Sequence, residues 1–316
     1  MKNMKTVAGM LCLAGILSLG MGTTVFAEDG DSHYPVTITT YNYENEPVEM
    51  TFEKAPEKVF AYANSNIEEL LALGLGDKIV AACGLDGDVR EDLKDEFDKI
   101  QYMDTKPSKE EVVAMEPDFI AAWYSSFSDD WLSDVSFWQE RDVNTYMSLN
   151  SSAKGPASEF PRTIEDEYED ILNLGKIFDC EDKAEEIVDQ MKGEIDKVKE
   201  HVEGTDPLSV AVLEDEGDSF RVYGTETLGG NIPETLGAEL KLGAENSENV
   251  GAEDLIAADP DVLFMINYDG FMTADEAIAD ITDNPAYASL SAVKNNKVFS
   301  VNLNEVYCSG VRTYDG

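Results

Sequence analysis

The sequence predicts an α/β protein of two three-layer lobes, each a mainly parallel sheet between helices, bridged by a long helical stretch. Three observations predict it. Short apolar runs alternate with amphipathic segments along most of the chain, the order that builds parallel sheets with covering helices. A helix–turn–strand pattern in the first half recurs in the second half at one constant offset. Between the two copies, residues 161–202 carry apolar side chains at helical spacing and no Gly/Ser-rich or Pro-rich linker.

The first residues precede the fold. Lys2 and Lys5 lead into an apolar stretch from Val7 to Leu19, and Val25-Phe26-Ala27 puts small residues at the two positions a signal peptidase reads. Residues 1–27 are therefore expected to be a secretory signal cleaved after Ala27, with an apolar part too short to span a membrane. Cys12 lies inside that apolar run without the small residues that precede a lipid-attachment cysteine. The first lobe is expected over 28–160. In it Val36–Thr40 and Val48–Phe52 alternate as two hairpin strands, with Asn42 and Asn45 between them. Lys58–Tyr62 reads as a short buried strand, Asn66–Leu73 as a helix stopped by Gly74, and Lys78–Ala82 as the next strand.

The echo begins at Ser108 and again at Gly251. Glu110 falls on Glu253, Ala114 on Ala257, Pro117 on Pro260 and Asp118 on Asp261, with the positions between keeping their apolar or acidic character. Each copy reads as a helix, a Pro-Asp turn and an apolar strand, Phe119–Trp123 or Val262–Ile266. Proline ends the helix because it lacks an N–H and disfavours helical geometry in the residue before it. A further helix near 131–141 or 273–281 and a β-rich strand, Val143–Met147 or Lys297–Val301, close each unit.

In the connecting segment, Ile164, Tyr168, Ile171, Leu172, Leu174 and Ile177 share one helical face. Ala184, Ile187, Val188, Met191, Ile195 and Val198 continue the pattern to His201, with charges opposite. A helical bridge is stiffer than a flexible tether and limits lobe motion. The second lobe is expected over 203–316.

Composition narrows the function. The 316 residues carry 23 Lys+Arg against 65 Asp+Glu, a formal charge of −42. That argues against nucleic acid and anionic lipid surfaces as partners, since both need a cationic face. Two histidines cannot build a His-rich transition-metal site, so any iron should arrive already chelated. Cys83, Cys180 and Cys308 are too few and too scattered for a disulfide framework; one bridge with a free thiol, or three small buried side chains, both fit.

Several of these segments, in this order, resemble the solute-binding proteins of ABC importers for iron–siderophore, haem and cobalamin. The resemblance rests on Val36–Thr40 with the strand Lys58–Tyr62, and on Glu68-Glu69-Leu70-Leu71-Ala72-Leu73-Gly74-Leu75-Gly76-Asp77-Lys78-Ile79-Val80. It also rests on the two Glu…Pro-Asp units, the helix Asp166–Phe178, and the run from Asn284-Pro285-Ala286-Tyr287 to Val298-Phe299. It implies the class III periplasmic-binding-protein fold and a monomer that holds one small solute between its lobes. Such a receptor hands its solute to an ABC permease and catalyses nothing, so no cofactor is expected. Members usually continue past a position like Arg312 into a final helix, which this sequence does not reach. In the family one acidic residue on each lobe pairs with permease arginines, and the matching positions are Glu110 and Glu253. Their plain reading is helix-capping: Ser108 with Glu111 forms a capping box, and first-turn acids complement the helix dipole.

Solutes of α/β proteins meet loops at the carboxyl ends of strands. Those positions are Tyr62, Asn64, Ser65, Trp123, Tyr124, Ser125, Asn150 and Ser151 in the first lobe. In the second they are Arg221, Tyr223, Thr225, Asn267, Tyr268, Phe271, Asn302, Tyr307 and Arg312. Aromatics supply broad contact, amides directed bonds, and the two arginines partners for carboxylates. A receptor for another small solute is one alternative. A secreted carboxylate-dependent hydrolase is another, since so acidic a chain offers carboxylate pairs, though it has no GxSxG, P-loop or HExxH motif. An adhesive surface protein would show sandwich repeats, which the sequence lacks.

Overall fold

An antiparallel hairpin opens the fold, β1 (Val36–Tyr41) pairing with β2 (Pro47–Phe52) in register from Val36–Phe52 to Tyr41–Pro47. The computed structural model describes residues 33–243, 249–268 and 270–315, so the segment expected to be a secretory signal, with Cys12, lies outside it. From His33 onward the chain forms one compact unit with two main sheets.

The first sheet is built by β3 (Val59–Tyr62), α1 (Asn64–Ala72), β4 (Ile79–Cys83), α2 (Lys94–Phe97) and β5 (Tyr102–Met103). It is completed by α3 (Lys109–Ala114), β6 (Phe119–Ala122), α4 (Val135–Gln139) and β7 (Asn144–Met147). Its strand order is β5-β4-β3-β6-β7, with every neighbouring pair parallel. The central strands β3 and β6 are short runs buried on both faces, which is why they read as continuous apolar segments and not as alternation. The chain starts at the centre, winds to one edge and then restarts beside β3. That reversal leaves a crevice at the carboxyl ends of β3 and β6.

The connecting segment read as one helical stretch is two helices, α5 (Ile164–Phe178) and α6 (Glu181–Val202). Asp179 takes a left-handed conformation (φ 56°) and turns the chain sharply. The two helices then lie side by side: Gly175 faces Ala184 beside the turn, and Lys192 sits over the Tyr168 ring farther along. A Cβ at Gly175 would come within 2.5 Å of the Ala184 Cβ, so glycine sets the helix spacing.

The second sheet follows: β8 (Ser209–Asp215), β9 (Phe220–Val222), α7 (Leu228–Thr235), β10 (Glu239–Leu240), β11 (Asn249–Val250), α8 (Ala252–Ala258) and β12 (Val262–Asn267). Then come α9 (Ala274–Thr282), α10 (Ser291–Lys294), β13 (Val298–Asn302) and α11 (Leu303–Val306). Its path is β11-β9-β8-β12-β13, with β10 also on β8. β8, β12 and β13 are parallel, whereas β9 and β11 add antiparallel pairs at one edge. Alternation along β8 serves two cores. Val210 and Val212 join the core shared with the first sheet and α5, while Ala211 and Leu213 join a separate core beneath α8, α9 and α10.

The echo is structural. α3 and α8 end on left-handed residues at matching places, Glu116 (φ 51°) and Asp259 (φ 41°), each just before its proline. The aspartate after the proline has a second duty. Asp118 accepts from the backbone N–H of Lys58 at 2.8 Å, and Asp261 from that of Ser209 at 3.0 Å, at the mouths of the neighbouring central strands. Each Pro-Asp turn thus ends a helix and satisfies the first donors of the adjacent strand.

Residues 309–314, expected in the second lobe, pack instead on α1 of the first lobe and on α5 of the connecting segment. Arg90 Nη1 donates to the Val311 carbonyl at 2.6 Å, and the N–H of Gly310 donates to Glu167 at 2.6 Å.

Candidate functional site

The crevice between β3 and β6 is strained and furnished by its own loops. Ala63, between β3 and α1, holds φ 76° and ψ 157°, a region L-residues rarely adopt, at a cost of about 1–3 kcal/mol. Gly84 (φ 84°) follows β4, and a Cβ there would overlap the Tyr62 ring, so glycine makes the seat for that aromatic. Trp123 Nε1 donates to Ser65 Oγ at 3.0 Å, and its ring lies edge-on to Tyr62 (6.1 Å) and Tyr307 (5.6 Å). Tyr307 belongs to the chain's last stretch, so Trp123 joins the two halves.

Two adjoining cavities share Arg221, Tyr223 and Tyr307. The first, about 180 Å³, is completed by Asn150, Ser152, Ala157 and Arg162 from one side and Thr227, Leu228 and Cys308 from the other. The second, about 280 Å³, adds Asp86, Glu214, Tyr268 and Leu303. Both therefore draw walls from both halves of the molecule. A third, open cavity of about 390 Å³ is lined within the second half by Asn267, Met272, Thr273 and Glu276 around Tyr268 and Phe271, whose rings stack at 4.9 Å.

The electrostatics are mixed. Arg221 is half-exposed, 3.9 Å from Glu214 Oε2 and over the Tyr223 ring at 5.5 Å, leaving its guanidinium reachable from the cavity. The Tyr223 hydroxyl donates to Glu214 at 2.9 Å, and burial with that carboxylate drives its pKa upward. Cys308 and burial push Tyr307 up to about 12. Burial raises Asp86 and lowers Arg162. Both phenols remain neutral donors near neutral pH, so the cavity offers phenol and guanidinium donors beside two carboxylates.

Of the sequence-predicted residues, Asn150, Arg221, Tyr223, Tyr268 and Tyr307 meet at these cavities, with Tyr62, Ser65 and Trp123 adjoining through the aromatic cluster. Others are committed elsewhere. Asn64 is buried and accepts from the Asp86 N–H at 2.7 Å, holding the loop that carries Asp86. Tyr124 stacks on Tyr43 at 4.7 Å and donates to its carbonyl. Asn267 accepts from Ser300 Oγ at the edge of the open cavity. Arg312 is turned onto Glu68 through two bonds of 2.6 Å and lines neither shared cavity. Its partner, a fully buried glutamate on α1, was invisible as such in the sequence.

Sequence reasoning missed Arg162, Asp86 and Glu214: Arg162 lies away from any strand end, while Asp86 just past β4 and Glu214 near the end of β8 were passed over at positions of the kind it sought. Arg162 sits in the loop before α5, its Nη2 held by the Gly155 carbonyl at 2.6 Å. Its scarcity was the available signal, one of 23 cations in 316 residues. Glu110 and Glu253 are both exposed, in the first turns of α3 and α8. The Ser108–Glu111 capping box is present, with Glu111 Oε2 taking the Ser108 N–H at 2.7 Å. His33 lies far from the cavities, bonded to the Lys176 carbonyl beside Asp179 and Glu181, and His201 is exposed near the end of α6. Cys83, Cys180 and Cys308 are free thiols. Among the described residues, no helix is long and apolar enough to cross a membrane.

Comparison with known proteins gives a consistent picture. The family described as periplasmic binding protein matches residues 59–302. The crystal structure of a periplasmic binding protein from Veillonella parvula DSM 2008 superposes with a TM-score of 0.83 at 33% identity, covering 90% of this chain and 89% of that one. The ABC transporter substrate-binding lipoprotein YvrC of Bacillus subtilis (strain 168), itself uncharacterized, is 24% identical across 100% of this chain and 95% of its own length. The petrobactin-binding protein YclQ of the same organism is 24% identical over 81% of this chain and 78% of its own.

Proposed function

Because the chain belongs to the periplasmic binding protein family, we propose that it is an exported receptor for a chelated-iron, haem or cobalamin-type solute. It takes that solute in the crevice between its two halves and passes it to an ABC permease. The observation that carries this reading is the pair of cavities sharing Arg221, Tyr223 and Tyr307, walled by both halves. A solute there touches both sheets at once, so binding favours the closed arrangement through contacts that only closure completes. Arg221, the more exposed of the two cavity arginines, pairs with carboxylate or other anionic groups on the solute, and the tyrosines contact its bulk. The α5–α6 pair is stiffer than a flexible linker and keeps that closure modest. Glu110 and Glu253, equivalent by the internal echo, are the charges the permease reads on the two halves. The relatives support the solute class: YclQ is a petrobactin-binding protein, and YfmC of Bacillus subtilis (strain 168) is an Fe(3+)-citrate-binding protein.

The test is titration of the chain lacking residues 1–27 with ferric catecholate, hydroxamate and citrate chelates, haem and cobalamin, read by tryptophan fluorescence. Trp131 and Trp138 are buried, whereas Trp123 is partly exposed and adjoins Tyr307. Saturable quenching by one class at micromolar concentration or below identifies the solute. No response to any class refutes this solute assignment and leaves a receptor for a different small molecule.

A further inference from the structure

Glu69 on α1 and Glu167 and Asp170 on α5 converge beneath the segment that ends the fold. One carboxylate oxygen of each lies within 4.8 Å of the others, and all three residues are buried. Two of the three are held in place by donors. Glu167 accepts from Asn150 Nδ2 at 2.7 Å and from the N–H groups of Ser309 and Gly310 at 3.2 and 2.6 Å. Asp170 accepts from the Tyr146 hydroxyl at 2.7 Å and from the Leu149 N–H. Glu69 is different: it is 1% exposed, reaches into the cluster, and its Oε2 has no hydrogen-bond partner.

The nearby cations are already engaged, Arg312 with Glu68 and Lys154 with Asp166. Three buried carboxylates are thus left without a cationic partner among the described residues, an arrangement that is unfavourable in the ionised form unless something neutralises it. We propose that Glu69, Glu167 and Asp170 hold one hard divalent cation of the calcium class. All the donors are carboxylate oxygens, the ligand type hard cations select. Oxygens up to 4.8 Å apart suit metal–oxygen bonds of about 2.3–2.6 Å. Magnesium needs shorter bonds and retains water, which a closed site disfavours. The ion ties α1, α5 and the 309–313 segment together. Through Asn150, which also lines the smaller shared cavity, it fixes one wall of the solute site. The site is separate from the solute and does not depend on the solute assignment.

The experiment uses the chain lacking residues 1–27, stripped with EDTA and dialysed into 0.15 M KCl at pH 7.5, with calcium chloride as probe. Calorimetric titration is expected to show one site per chain above the diffuse uptake of the acidic surface, with a higher thermal midpoint in calcium than in magnesium or EDTA. Glu69→Gln is expected to lose both the stoichiometric site and the calcium-dependent midpoint. Asp179→Asn, in the more exposed cluster beside His33, is expected to keep them. Terbium gives a readout independent of any variant, because Tyr146 is bonded to Asp170 and can sensitise its emission. Saturable emission displaced by calcium supports the site. Equal midpoints in calcium, magnesium and EDTA overturn the proposal, as does absent terbium emission or a stoichiometric site that survives Glu69→Gln.

Discussion

Replacing Arg312 by Met separates a structural role from a solute-binding one. Arg312 places two 2.6 Å bonds on Glu68, whose side chain is fully buried, and a third on the Asp88 carbonyl. Glu68 keeps only the Arg90 N–H at 2.8 Å when the guanidinium goes. Breaking a buried pair from one side costs about 3–5 kcal/mol because the remaining charge is left uncompensated. The Arg312 side chain is 12% exposed, so some water reaches the pair and the lower end, about 3 kcal/mol, applies. Methionine keeps the apolar stem packed, which confines the change to the charge. Urea unfolding followed by tryptophan fluorescence measures it, with Glu68→Gln and the double variant closing the cycle. Glu68→Gln with Arg312→Met should recover at least 1 kcal/mol over the sum of the single changes, within the range for groups in contact. Solute affinity of Arg312→Met should stay within about twofold, since a contact worth 1.4 kcal/mol would change it tenfold. A loss below about 1 kcal/mol or a null coupling would refute the structural assignment. Weakened solute binding at unchanged stability would return Arg312 to the site.

Other outcomes follow from the same geometry. Gly175→Ala should destabilise the fold by about 1–3 kcal/mol in urea, because its methyl overlaps Ala184; no loss would mean that the helix pair is looser than described. The Ser209 N–H and hydroxyl hold the Asp261 carboxylate below its ordinary value, so its contribution is present above about pH 3.8 and lost as pH falls through its lowered folded pKa. The thermal midpoint of wild type should therefore exceed that of Asp261→Asn by a constant margin from pH 7 to 5 and converge with it in acid; a margin that grows in acid would contradict the sign. A Glu110→Ala, Glu253→Ala double variant should bind solute normally and fail in uptake by cells carrying the permease, and unchanged uptake would remove both residues from docking. Trp123→Phe should retain binding measured by calorimetry while losing most of the fluorescence response, and a full response would place the solute elsewhere.

The two halves were legible because their patterns are local. A helix, a left-handed residue, Pro-Asp and an apolar strand follow one another within a few residues in each copy, and the chain needs no distant partner to write them. The hairpin alternation of β1 and β2, the strand–helix–strand rhythm and the Ser108 cap are likewise short-range. The helical character of 164–202 was visible, but its fold-back was not. It depends on Asp179 leaving the helical region and on Gly175 accepting Ala184, a contact between two separate helices. The site was legible in part. Strand ends supplied Arg221, Tyr223 and Tyr268, whereas Tyr307 follows α11 and Arg162 and Asp86 arrive from loops whose course is set by what they pack against.

Residue type and order alone determined the fold class and the internal duplication, since these depend on composition and on periods of two or 3.6 residues. Tertiary structure decided the fate of individual ionisable groups. Glu68 and Glu69 are adjacent on α1, yet one meets Arg312 from the far end of the chain and the other meets Glu167 and Asp170 with no cation at hand. No local rule separates those two glutamates. The difference arises because the last residues fold back onto the first lobe, and burial makes each partner, or its absence, energetically decisive.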